Sequence, residues 1–139
     1  MRARRSPRSP TCGARRQRWA QLFDRTLQLP PPEHRAVRHG DLHFRRLLVA
    51  EGELAGVVDW VDLCRFDPGV DLSLAWGFLP PPARAEFLDE YGAVPESSAP
   101  RARVLALDLM AILAAWARAE GRPAVQAEAL AGLARAALA

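Results

Sequence analysis

The stretch Arg38–Leu74, RHGDLHFRRLLVAEGELAGVVDWVDLCRFDPGVDLSL, decides how this 139-residue chain is read. Two strand-like runs, Leu47–Val49 and Leu54–Trp60, flank Glu51-Gly52, a two-residue link whose glycine supplies the positive φ that a tight hairpin turn needs. Pairing Ala50 with Glu53 and counting outward sets Asp59 opposite Phe44. Asp41 stands three residues earlier, at most about 10 Å along an extended chain. Gly40 beside it lets the backbone turn back toward Asp59. Taken singly, aspartates near strand ends most often cap turns. Two carboxylates at the open end of one hairpin also suit a divalent cation and a base.

Outward from this block the chain is helical. Asp67-Pro68 reads as a helix start, aspartate as cap and proline in the first turn. That helix runs to about Leu79 and is closed by Pro80-Pro81-Pro82. Further helices are expected at about Ala83–Tyr91, ended by Gly92, at Ala99–Glu120, and at Pro123–Leu138 after Gly121. Upstream, Trp19, Leu22, Phe23, Leu27 and Leu29 fall near helical spacing between Arg16 and Leu29, and Pro30-Pro31-Pro32 stops the pattern. The predicted order is helix, hairpin, then four helices: an α+β fold, mostly α, in one domain. Trp60, Trp76 and Trp116 are assigned to its core.

Composition limits the function. The net charge is +3, and all 19 basic residues are arginine; neither lysine nor asparagine occurs. Residues 1–18 hold seven arginines and no acid, so a disordered tail is expected there, with the folded lobe covering 19–139. No aromatic residue sits in that basic stretch and no nucleic-acid fold follows it, which sets nucleic-acid binding below a solvated tail. The longest apolar run, Val104–Ala117, is interrupted by Asp108 and is too short to span a bilayer. With no signal peptide, Cys12 and Cys64 read as free thiols of a soluble cytoplasmic protein.

The order His39-Gly40-Asp41-Leu42-His43, hairpin, Val58-Asp59-Trp60, then Asp67-Pro68-Gly69-Val70-Asp71-Leu72 resembles the aminoglycoside phosphotransferase and choline-kinase-like family. The resemblance implies the helical C-terminal lobe of a protein-kinase-like fold, with the hairpin carrying the catalytic and metal loops. It implies Asp41 as the catalytic base toward a substrate hydroxyl, Asp59 as ligand to Mg2+, and ATP as phosphoryl donor. His39, Asp67 and Asp71 are assigned structural support. His43, Arg46 and Asp62 are weaker candidates for contact with phosphate or substrate, here a small molecule such as an amino sugar or amino alcohol.

Two departures temper that expectation. Where the family carries asparagine as a further metal ligand, this chain has Arg46, whose guanidinium offers only donors. The family's N-terminal lobe supplies a phosphate-covering loop and a strand lysine. Only basic coil and one helix precede His39, and no lysine exists in the chain. The expectation is therefore a catalytic lobe alone, from a truncated gene or completed by a separately encoded N-terminal lobe, with weak or no activity by itself. The alternative is a non-catalytic small-molecule-binding module that keeps the lobe's shape.

Overall fold

The structure, a computed structural model, describes residues 10–32 and 36–138, with side chains from Gln17 onward. Residues 1–9 of the expected tail, and the Cys12 side chain, lie outside the described parts. The first helix, α1, spans Pro10–Leu27 and so begins earlier than the Arg16 start expected from periodicity. Residues 10–18, assigned to a disordered tail, are thus helical. Local composition missed them because a helix already anchored by Trp19 and Leu22 against the core extends at one hydrogen bond per added residue.

Proline and glycine set the later helices close to their expected limits: α2 Gly69–Gly77, α3 Pro81–Tyr91, α4 Ser98–Ala119 and α5 Pro123–Leu138. The core lies where α2 and α5 flank α4, and α1 rests on the same helix. On α4 the buried residues Ala102, Ala106, Leu107, Met110, Leu113, Ala114 and Ala117 recur at helical spacing. Most are alanine, which lets backbones approach closely. Gly132 of α5 is the tightest case: a Cβ there would meet the Gly77 carbonyl and Met110 Sδ.

The expected hairpin is present as β2 (Leu47–Ala50) and β3 (Glu53–Val57), turned by Glu51 (φ 54°) and Gly52 (φ 86°). Both turn residues have positive φ, as a type I′ turn requires. Its register departs from the simple count. Ala50 pairs with Glu53 and Val49 with Leu54, but Leu48 pairs with Gly56 and Leu47 with Val57. Ala55 is the extra residue of a β-bulge, which shifts all pairing beyond it by one. Asp59 consequently does not face Phe44. Residues Phe44–Arg46 leave the ladder altogether as a 3-10 turn, and it is Arg46 whose carbonyl receives the Val58 N–H.

A second ribbon was not expected. β1 (Ala36–Arg38) pairs antiparallel with β4 (Cys64–Phe66), matching Arg38 to Cys64. This pairing draws the segment before His39 against the one before Asp67, and so closes the block on itself. Trp76 is buried as assigned, Trp116 is half-buried, and Trp60 is 53% exposed. Trp60 is a surface residue because it heads a 3-10 turn (Trp60–Asp62) between the two ribbons rather than a helix or strand face.

Candidate functional site

The His39–Asp41 loop follows β1 and is held by polar groups rather than by apolar packing. The Asp71 carboxylate, in the first turn of α2, accepts from the backbone N–H of His39 (2.8 Å) and of Gly40 (3.1 Å). His39 is 2% exposed. Its Nε2 lies 2.8 Å from the Val58 carbonyl, which has only acceptors, so Nε2 carries a proton and donates. Its Nδ1 then accepts the Asp41 N–H (3.3 Å). The neutral imidazole thereby ties the Asp41 loop to the end of β3, and Trp60 leans on its face with ring centroids 4.7 Å apart.

Gly40 is required twice. Its φ is +90°, and a Cβ would collide with the Asp62 carbonyl. Asp62 meets the loop through that backbone oxygen, while the residue itself is exposed. Asp67 is buried beneath the site. One carboxylate oxygen accepts the Gly69 N–H at the start of α2 (2.6 Å), and the other pairs with Arg101 of α4 (2.7 Å). Arg101 also donates to Ser97 Oγ and to the Pro30 carbonyl, joining α1's end to α4.

The two candidate carboxylates do converge. Arg46 lies between them: Nη2 is 2.5 Å from Oδ2 of Asp41 and Nη1 is 2.5 Å from Oδ2 of Asp59, with Nε 3.2 Å from the same Asp41 oxygen. The hydrogen bond to Asp41 raises the Arg46 guanidinium above its ordinary value, with further support from the charges of Asp41, Asp59 and Asp62. Asp59 reaches Arg46 from a left-handed backbone (φ 68°, ψ 60°) and does not cap the turn it precedes. Such a conformation costs a residue with a Cβ about 1 kcal/mol or more and gathers at functional sites. Arg45 turns the other way, stacking over Trp116 with its guanidinium carbon 4.2 Å from the ring centroid.

His43 is buried, with Nε2 3.7 Å from the same Asp41 oxygen and Nδ1 accepting the Arg45 N–H. Burial pushes its pKa below 6.5, outweighing the attraction of Asp41, and the charges of Arg46 and Arg45 push the same way. Around neutral pH it is therefore an uncharged imidazole, and it adds no second positive charge beside Asp41.

Asp41 also lines a cavity of about 180 Å³ shared with α4, together with Gly40, Leu42, Val70, Ser73 and Asp108 among others. Most of its lining is apolar, and two carboxylates, Asp41 and Asp108, belong to it. Asp108 lines this cavity although no motif marks it: it is the single acid of α4 and interrupts the apolar run Val104–Ala117, and that interruption is its signal in the sequence. Among the described residues no group of three or more His, Cys, Asp or Glu side chains stands together to hold a metal ion. Magnesium demands near-octahedral oxygen ligands. Here the two facing oxygens are both held by a guanidinium, so this arrangement does not fit a divalent ion.

Among the described residues no helix is long and apolar enough to cross a membrane. No curated protein matches the chain. Among solved structures, a thermostable mutant of aminoglycoside phosphotransferase APH(4)-Ia in its apo form superposes with a TM-score of 0.52 at 20% identity, over 93% of this chain and 45% of that one. The chain thus spans less than half the length of that kinase-like protein, and at this identity the likeness speaks for the fold. The family model of the phosphotransferase enzymes matches residues 1–107, three-quarters of the sequence and the whole of the loop system just described. The motifs, the convergence of Asp41 with Asp59 and this match agree: the chain belongs to the phosphotransferase enzyme family.

Proposed function

We propose that the chain is the acceptor-binding half of a phosphotransferase that acts on a hydroxyl of a small molecule, such as an amino sugar or amino alcohol. The observation that carries this reading is the position of Asp41, which pairs with Arg46 and also lines the cavity that Asp108 shares. A hydroxyl in that cavity would donate its hydrogen bond to Asp41, and the negative wall favours an acceptor carrying an ammonium group. In the transfer itself, the acceptor oxygen bonds to the γ-phosphorus of ATP as the bond to the leaving ADP oxygen breaks. Asp41 takes the acceptor proton and returns it to water. The contribution of the protein is orientation, since little covalent chemistry falls to it.

The donor phosphates need a holder besides these residues. Leu48, Val49 and Leu54 on the hairpin, and Val61 and Leu63 beyond it, are all about half exposed or more. This supports a β-rich lobe covering that side, whether from the same or a separate polypeptide, and transfer by these 139 residues alone that is weak or absent. The exposed thiol of Cys64 supports a reducing, cytoplasmic setting.

A second reading, a binding module without catalysis, is favoured by one observation: Arg46 spends both carboxylates on an internal ion pair. Calorimetric titration separates the two. Amine binding that needs Asp41 and Asp108, together with nucleotide binding, supports the transferase half. Amine binding without any nucleotide binding supports the module. An Asp41→Asn protein that binds amino sugars as well as the parent would overturn both.

A further inference from the structure

We infer that Arg46 is a resident counter-cation, which occupies the space between Asp41 and Asp59 in place of a divalent ion and keeps such ions out. A guanidinium is flat and forked, and it can touch two carboxylates at once from one side chain. Arg46 does so, with separate terminal nitrogens on separate aspartates. Nothing in the local sequence forces this, since the neighbouring Arg45 is equally charged and points to Trp116. The stacking of Arg45 and the 3-10 turn Phe44–Arg46 instead fix which arginine faces the acids.

The charge balance has a direct consequence. Two carboxylates brought together would repel each other and attract any cation in solution. With Arg46 between them the cluster carries one net negative charge instead of two, and one oxygen of each carboxylate, Oδ2, is already in contact with the guanidinium. A metal must first displace a tethered cation, which competes at high effective concentration. The left-handed Asp59 belongs to the same device: its backbone conformation directs the carboxylate to Arg46, not to the turn that follows. The inference needs no phosphoryl transfer and is independent of the acceptor reading.

The test is Mn2+ binding to the full chain, followed by calorimetry and by loss of the free-ion magnetic resonance signal. The parent protein should show no saturable binding at sub-millimolar Mn2+. Arg46→Asn should bind at least about tenfold more tightly, as removal of a contacting like charge predicts. That gain should vanish in the Arg46→Asn, Asp59→Asn double variant. Equal affinity in parent and Arg46→Asn, or a gain that survives loss of Asp59, would overturn the inference while leaving the amine-binding results untouched. If Arg46→Asn does not fold, the parent decides alone. Its Arg46 Nε–H resonance should keep its shift in millimolar Mg2+, and a shift toward that of a free guanidinium would overturn the inference equally.

Discussion

The helical layer and the ribbon layer of this molecule are held together by different physics. Between α2, α4 and α5 the contacts are apolar and close: Leu72, Ala102, Ala106 and Met110 are all within 2% of full burial. In the ribbons the strands are nearly bare, with no buried residue in any of the four. The buried groups beside them are His39, His43 and Asp67. The scaffold is stabilised by area removed from water, whereas the site is shaped by hydrogen bonds to a few polar groups that cannot be left unpaired. Damage to the first should therefore appear as lost stability, and damage to the second as lost geometry.

The sharpest break of that contrast is in the scaffold. Gly132→Ala should cost about 3 kcal/mol in urea denaturation, because the added methyl meets the Gly77 backbone carbonyl, which cannot swing aside as a side chain would. An Asp71→Ala change, at the join of the two layers, should cost about 2 kcal/mol by leaving the His39 and Gly40 N–H groups without an acceptor. It should also abolish amine binding while the far-ultraviolet helix signal persists. A loss of helix in step with binding would show that the layers are not separable.

A smaller effect concerns pH. Burial lowers the His43 pKa in the folded state, so between that value and 6.5 the unfolded chain binds the extra proton and the folded one does not. Stability should therefore be whole above about pH 7 and fall as pH drops below 6.5, with a gentler slope in His43→Gln. Denaturation midpoints from pH 5 to 8 provide the measurement. Smallest of all, Val49→Thr on the open hairpin should change the stability of the isolated chain by no more than about 0.5 kcal/mol. A larger loss would mean that this strand is covered in solution.

Wherever a structural decision is local, the sequence by itself determined it. The triple proline at 80–82, Gly92 and Gly121 bound the helices, and Glu51-Gly52 turns the hairpin, because each of these residues restricts φ or the hydrogen bonds of its own peptide. The nearness of Asp41 and Asp59 was legible too, since a hairpin brings together residues close in number. Only the tertiary structure decided the rest. The β1–β4 ribbon joins segments of three residues with no alternating pattern, the bulge at Ala55 slips the register by one, and Asp108 reaches the cavity from a helix distant in number. The choice of Arg46 over Arg45 as the bridging cation turned on Trp116, seventy residues further along the chain. Such outcomes depend on which surfaces meet after the chain closes, and no residue's own dihedral preferences encode that meeting.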